Sequence, residues 1–205
     1  TPALFKDILQ DSEPPVMKVE SAKAALDGFS ELGRLAQKML YKAFIRLGLL
    51  KYKGEKCSAD ELMKKLGIKD SYRRFFTQTL KILEEAGYIA IEENKVCVAD
   101  VGDDGVDVEL EKGMELLKKS YPDTQAHLRL LCTCMDKYPE ILKGEIQGTE
   151  VIFKGSDMEL VEGIYRGNNI SDHYNRVVSW ILVSYLKNYL ILKENSPKVK
   201  ILEVG

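Results

Sequence analysis

The chain has 205 residues, of which 45% are hydrophobic and 30% charged, and its net charge is −2. This composition is typical of a globular protein of one or two domains, and so small a net charge excludes a strong overall attraction to nucleic acid or anionic lipid. The longest apolar run, residues 177–192, is interrupted by serine, lysine and asparagine and is shorter than the ~20 residues of a membrane span. We therefore expect a cytoplasmic protein whose four cysteines, which lack framework spacing, are reduced thiols.

The first third of the chain predicts an arm followed by a long helix. Pro2, Pro14 and Pro15 lie among mixed charges, which indicates a linker or arm over residues 1–29 with one short helix at 21–26. From Leu32 to Leu47, apolar residues recur at the i, i+3, i+4, i+7 spacing of a helix with one buried face. Gly48 supplies the left-handed residue that ends such a helix.

Residues 30–100 predict a winged-helix-like subdomain. After a loop at 51–57, Ser58-Ala-Asp-Glu61 is a capping box that begins a second helix, and Ser71 is expected to cap a third helix that Gly87 closes. Residues 88–92 and 95–99 then alternate in polarity around Glu93-Asn94, which indicates a β-hairpin. Three helices and a two-stranded wing are the parts of a winged helix.

Winged helices commonly bind DNA, and this alternative depends on the charges of the third helix. Its basic and amide residues could face a major groove: Lys69, Arg73, Arg74, Gln78 and Lys81. However, Glu92 and Glu93 at the tip of the wing would repel phosphates. Residues 30–100 carry only 14 Lys/Arg against 10 Asp/Glu, so we favour packing or dimerisation over nucleic-acid binding.

Residues 101–197 predict a second, helical region. Helices are expected at 109–120 and 123–137, with breaks at Tyr121-Pro122 and Tyr138-Pro139, and an extended strand at 149–155. A capping box at 156–159 precedes residues 160–165, and a long helix begins at Ser171 or Asp172. Its apolar residues are predicted to share one face: Val177, Val178, Ile181, Leu182, Tyr185, Leu186, Tyr189 and Leu190.

A metal site is not expected in this region, although His127 precedes Cys132-Thr-Cys134. Two cysteines at i and i+2 of a helix point to different sides, and no fourth ligand is evident.

The last residues, 198–205, form an apolar strand candidate that ends Glu203-Val-Gly205. A helix, a proline-marked turn and a strand that leads to a first glycine are how a nucleotide-binding α/β sheet begins. We therefore expect the chain to be the front part of a larger unit.

An ordered set of motifs carries a family resemblance. Tyr138-Pro-Glu-Ile-Leu142, Glu150-Val-Ile-Phe153, Met158-Glu-Leu-Val-Glu-Gly-Ile-Tyr165, Tyr174-Asn175 and the terminal Val199-Lys-Ile-Leu-Glu-Val-Gly205 occur in that order. Together they resemble the C-methyltransferase domain of bacterial modular polyketide synthases and hybrid polyketide–peptide synthetases, from about residue 30 to the first glycine of the S-adenosylmethionine motif.

The resemblance implies a mainly α fold with a small β wing: a winged-helix-like part, a helical lid (101–197), and the first strand (198–205) of a truncated class I methyltransferase core. It implies a role in transferring a methyl group from S-adenosylmethionine to the α-carbon of a β-ketoacyl chain on an acyl carrier protein. The carrier's phosphopantetheine and neighbouring synthase domains would be partners, and a homodimer is possible. The fragment is expected to be inactive alone.

The same resemblance assigns site residues within the chain. Glu203 and Gly205 match the start of the cofactor motif, Tyr174 resembles a lid tyrosine near the cofactor, and Tyr165 is a candidate for binding substrate. Packing aromatics are the alternative for both tyrosines. The family's catalytic residues would lie beyond Gly205, so none is assigned here. A DNA-binding regulator and an O- or N-methyltransferase domain remain open as alternative functions.

Overall fold

A computed structural model describes residues 13–98, 105–153, 158–191 and 200–202. Within these ranges the chain is mainly helical and carries one small antiparallel sheet. None of the described helices is both long and apolar enough to cross a membrane.

Helix α1, Val19–Leu47, is the longest element and begins earlier than predicted. Residues 19–29, expected to be an arm with one short helix, form its first three turns. The prolines at 14 and 15 precede this helix and so do not interrupt it, and the helix crosses the domain boundary predicted at residue 30. Its C-terminus is as predicted, because Gly48 adopts φ 98° and its N–H bonds the carbonyls of Phe44 and Ile45.

The sheet has three strands in the order β1-β3-β2: β1 Lys56–Ser58, β2 Ile89–Glu92 and β3 Lys95–Val98. The β2–β3 hairpin is confirmed, with Glu93 and Asn94 at φ 48° and 61° as a tight primed turn requires. Strand β1 was predicted to be loop. It is three residues long, which is too short for alternation to give a signal, and it forms by pairing with β3.

Two helices complete the first half: α2, Ala59–Lys65, and α3, Arg73–Glu85. The capping box of α2 is confirmed, since the Glu61 N–H donates to Ser58 Oγ at 3.2 Å and the Ser58 N–H donates to Glu61 Oε2 at 2.8 Å. The predicted cap of α3 is wrong. Ser71 lies within a 3₁₀ turn, Asp70–Tyr72, that leads into the helix, and no side chain caps it.

The second half consists of six helices in the described residues: α4 Val106–Ser120, α5 Gln125–Asp136, α6 Tyr138–Lys143, α7 Gly148–Ile152, α8 Glu159–Tyr165 and α9 Asn169–Ile191. The strand predicted at 149–155 is wrong for residues 149–152, which lie in α7, and its last two residues lie outside the described residues. At the start of α7 the Gln147 N–H donates to Glu150 Oε2 at 3.5 Å, a weak helix-start contact that competes with the β-branched signal of Val151-Ile152. Pro139 lies in the first turn of α6, where its missing N–H has no cost, so the break there is also a helix start.

The core lies where α1 packs against α3, α4 and α5, and α3 in turn contacts strand β2. Helix α8 packs onto α5. Its largest fully buried members come from both halves: Tyr41, Phe44, Phe76, Leu80, Leu83, Leu117 and Leu142. Phe75, next to the buried Phe76 in α3, is half exposed at 50%. The α8–α5 contact is close because residue 163 is glycine: an added Cβ would lie 2.7 Å from the Cβ of Ala126.

Candidate functional site

The two predicted site tyrosines lie at a corner between α8 and α9, and Asn168 holds that corner together. The Asn168 side chain is 5% exposed. Its Nδ2 donates to the carbonyls of Gly163 (3.1 Å) and Ile164 (3.3 Å), and its Oδ1 accepts from the N–H of Ser171 at 2.9 Å. Asn168 therefore closes the end of α8 and caps the start of α9 with one side chain.

Further hydrogen bonds fix the turn between the helices. Ser171 Oγ donates to the Ile164 carbonyl at 2.6 Å, and the Gly167 N–H donates to Asp172 Oδ1 at 2.9 Å. Gly167 has φ 79°, a conformation that few other residues adopt without strain. Asp123 accepts from both the backbone N–H and Nδ2 of Asn169, which ties the corner to the turn before α5.

Tyr165 and Tyr174 present their side chains outward from this corner, with 70% and 64% of their surfaces exposed. The Asn175 Nδ2 donates to the Tyr165 carbonyl at 2.9 Å, so the last residue of α8 is bonded to the residue that follows Tyr174. The Tyr174 ring meets the His173 ring edge-on, with centroids 5.6 Å apart. The structure thus places both tyrosines on one corner and leaves both side chains open to a ligand or a neighbouring surface.

The apolar stripe predicted on the last helix is only partly buried. Val177 and Ile181 are half buried, whereas Val178 is 63% and Leu182 is 37% exposed. Tyr174, Val178 and Leu182 are spaced at i, i+4 and i+8, so they lie along one face of α9. We call these three residues the α9 stripe. Exposed apolar residues in a row are typical of a surface that another part of a protein covers.

The two predicted residues of the cofactor motif, Glu203 and Gly205, lie outside the described residues. The structure describes residues 200–202 next to them, and there Ile201 and Leu202 are 64% and 86% exposed. The structure confirms helices within residues 101–197, whereas their role as a lid stays a prediction. The position of the cofactor motif relative to Tyr174 stays a prediction as well.

Two of the five residues considered for nucleic-acid binding are engaged within the chain. Arg73 forms ion pairs with Asp60 and Asp70. Lys69 donates to the Gly144 carbonyl at 3.2 Å. At the wing, the hydrogen bond and the charge of Lys56 lower the pKa of Glu92, so this carboxylate stays anionic. An arginine that is already paired with two carboxylates of the chain does not favour a phosphate-binding face.

The cysteine pair follows the geometry predicted for i and i+2. Cys132 lines a cavity with Met39 and Met114, whereas Cys134 lines a separate groove with Phe29 and His127. Burial raises the pKa of both thiols. In the part of the chain that the structure describes, no three His, Cys, Asp or Glu residues are grouped to hold a metal ion.

The sequence analysis did not single out Asn168, the central residue of the corner. A signal was present, because an asparagine three residues before Ser171 at a helix start is an N-cap pattern. Its second role, donating back to α8, depends on the fold and has no signature in the sequence. Arg166, in the same turn, is ion-paired with Glu162 one helical turn earlier.

Comparison with known proteins identifies what the chain resembles. No protein-family model matches it. It is 32% identical over 144 residues to polyketide synthase PksR of Bacillus subtilis (strain 168), a match that covers 67% of this chain and 5% of PksR. The fold matches the DszA carbon methyltransferase with a TM-score of 0.79 and 27% identity, over 92% of this chain and 50% of that one. The CurJ carbon methyltransferase, at 21% identity and a TM-score of 0.67, shares the fold over 91% of this chain and 46% of its own. The chain thus spans about half of these methyltransferase structures and a small part of the synthase.

Proposed function

From the premise that this chain matches a methyltransferase region of polyketide synthases, we propose that it is the N-terminal, lid-forming part of a C-methyltransferase domain. The observation that carries the proposal is the match to the DszA carbon methyltransferase over 92% of this chain but only half of the other. The complete domain would transfer a methyl group to the α-carbon of a β-ketoacyl chain on an acyl carrier protein. A DNA-binding role gains no support from Arg73, which forms ion pairs with Asp60 and Asp70.

The α9 stripe supports a lid that rests against the rest of such a domain. Tyr174, Val178 and Leu182 are exposed on one helix face, and their burial by a neighbouring surface is favourable by ~25 cal/mol for each Å² of apolar area removed from water. Asn168 fixes the corner at the start of α9, so the α9 stripe is held in one orientation before another surface packs against it. In this arrangement Tyr174 lies at the junction between the lid and the rest of the domain.

The residues of the chain fit a modest role in ligand binding. The exposed Tyr174 hydroxyl can donate one hydrogen bond to a carboxylate or carbonyl, and we assign it to S-adenosylmethionine together with Glu203 and Gly205. Tyr165, on the same corner, is assigned to the carrier-bound substrate with its phosphopantetheine arm. When bound, S-adenosylmethionine supplies the methyl group. The lid contributes by positioning the ligands and excluding water, and no residue of this chain is assigned as acid or base.

The two tyrosine assignments are tested separately in a protein that holds this chain and the remainder of a methyltransferase domain. Tyr174→Phe is expected to weaken S-adenosylmethionine binding about fivefold, the loss of one hydrogen bond of ~1 kcal/mol, and to leave the KM for the carrier-bound substrate unchanged. Tyr165→Phe is expected to show the opposite pattern. The matched control is Tyr52→Phe, which makes the same change in the turn after α1, more than 100 residues before the corner. Equal cofactor affinity in all three variants would refute the assignment of Tyr174.

A further inference from the structure

A cavity of about 670 Å³ opens between α1, α4 and α5, on residues that the proposed function does not use. Each helix contributes residues at helical spacing: Met39 and Ala43 from α1, Leu110 and Met114 from α4, and Cys132 and Met135 from α5. This volume lies within the range of small-molecule sites, ~300–1,000 Å³. We propose that the cavity binds a flexible aliphatic chain whose head group stays in water at the mouth.

Sulfur-bearing residues dominate the floor of the cavity. Three of the six methionines of the protein line it, together with one of the four cysteines. Methionine is unbranched and polarisable, so a wall built from it adapts to a ligand that itself changes shape. No aromatic residue lines the cavity, which leaves no ring surface for stacking a flat ligand. A floor of this kind suits an aliphatic chain better than a planar molecule.

The charges at the mouth are already matched within the protein. Lys42 of α1 pairs with Asp107 of α4, and Arg46 of α1 donates to the Asp136 carbonyl of α5 at 3.0 Å. These contacts tie α1 to the helices on both sides of the opening. Glu111, the remaining charged residue of the lining, is exposed to solvent. Because both cations have partners, the cavity selects for the apolar chain and very little for the charge of the head group.

Cys132 offers a reporter that is part of the cavity, and Cys134 offers its control. Cys132 lies in the cavity lining, while Cys134, two residues later on α5, lies in the separate groove beside Phe29. The rate of alkylation by iodoacetamide is measured on the 205-residue chain by peptide mass spectrometry, which separates the α5 thiols from Cys57 and Cys97. The variant Cys134→Ser is used to follow Cys132, and Cys132→Ser to follow Cys134. The probes are decanol, decanoate and decylammonium, each below its aggregation concentration.

Decanol is expected to slow alkylation of Cys132 by the factor 1 + [L]/Kd, about tenfold when free decanol is about nine times Kd, and to leave Cys134 unchanged. The three head groups are expected to give Kd values within about fivefold of one another, because exposed charges contribute less than ~1 kcal/mol. Equal protection of both cysteines would mean general coating of apolar surface and would overturn the proposal. A strong preference for one head-group charge would overturn it as well.

Two variants of the lining separate binding from folding. Met114→Trp fills the cavity, and Met135→Gln keeps the length of the side chain but adds polarity. Both are expected to abolish the protection of Cys132. The matched control is Leu131→Gln, which makes a similar change in the groove that holds Cys134 and is expected to keep the protection. Protection that survives Met114→Trp and Met135→Gln in folded protein would refute the site. None of these readouts involves methyl transfer, so the proposal stands or fails apart from the proposed function.

Discussion

The corner that presents Tyr165 and Tyr174 depends on one buried amide, and its replacement is the most informative perturbation of the fold. Asn168→Ala removes the N-cap of α9, a loss of about 1 kcal/mol. It also removes the two hydrogen bonds from Nδ2 to α8, which together contribute about 1 kcal/mol more. We expect the free energy of unfolding to fall by about 2 kcal/mol. With a denaturant slope of about 2 kcal/mol per molar urea, the unfolding midpoint should fall by about 1 M.

Two companion variants divide this loss into its parts. Asn168→Ser keeps an acceptor for the Ser171 N–H but loses the bonds to α8, so it should recover about 1 kcal/mol of the loss. Asn175→Ala removes a single exposed hydrogen bond to the Tyr165 carbonyl and should cost about 0.5 kcal/mol. The assay is urea unfolding, supported by hydrogen exchange of the first turn of α9. If Asn168→Ala costs no more than Asn175→Ala, the corner is not held in the way described.

Three further predictions concern other parts of the chain. Burial lowers the pKa of His127 below the ordinary value of ~6.5, so as the pH falls the unfolded chain is protonated before the folded chain. The contribution of the neutral imidazole to the free energy of unfolding is therefore complete above about pH 6.5 and is lost as the pH falls through the lowered pKa. His127→Gln should therefore unfold with a flatter pH dependence below about pH 6.5, and an unchanged slope there would contradict the burial. Gly163→Ala should lower the free energy of unfolding by about 1–2 kcal/mol, because the added Cβ would meet Ala126. Gly33→Ala, whose added Cβ would lie in open space on helix α1, should raise it by about 0.5–1 kcal/mol. Thermal unfolding that ranks the two variants the other way would refute the packing of α8 on α5. Val178→Asp, at an exposed position, should change the free energy of unfolding of this chain by less than about 0.5 kcal/mol. The same variant should weaken association of the chain with the remainder of a methyltransferase domain. Unaltered association by calorimetry would exclude the α9 stripe as the contact face.

Local signals in the sequence predicted local structure well. The Ser58–Glu61 capping box, the left-handed Gly48 and the Glu93-Asn94 turn each act through atoms a few residues apart, and all three are present in the structure. These features need no tertiary context, which is why a pattern of three or four residues suffices to predict them.

The predictions that were wrong depended on contacts distant in the sequence or on competing local signals. Strand β1 exists only because β3 lies beside it, about 40 residues later. At 149–155 the β-branched residues suggested a strand, but the structure has the helix α7, whose start carries only a weak contact of 3.5 Å between the Gln147 N–H and Glu150. Ser71 had the chemistry of a cap, yet the chain enters α3 through a 3₁₀ turn that leaves it no such position.

The candidate site was predicted in part. The outward placement of Tyr165 and Tyr174 agrees with a role at a surface that binds a ligand or another part of the domain, but exposure alone does not assign that role. Asn168 could not be predicted from sequence as the residue that joins α8 to α9, because two of its three bonds reach back across the turn. Glu203 and Gly205 stay predictions that rest on the family resemblance.

The measurement that tests the central claim most directly is methyl transfer to a carrier-bound chain. A protein that contains this chain and the remainder of a methyltransferase domain is incubated with S-adenosylmethionine and a β-ketoacyl acyl carrier protein, with the 205-residue chain alone as the control. The account predicts that intact-protein mass spectrometry shows one added methyl group with the complete domain and none with the control, and that fragmentation places the methyl on the α-carbon. A methyl on oxygen or nitrogen would correct the reaction class. No methyl gain, together with no binding of S-adenosylmethionine by the complete protein, would contradict the account.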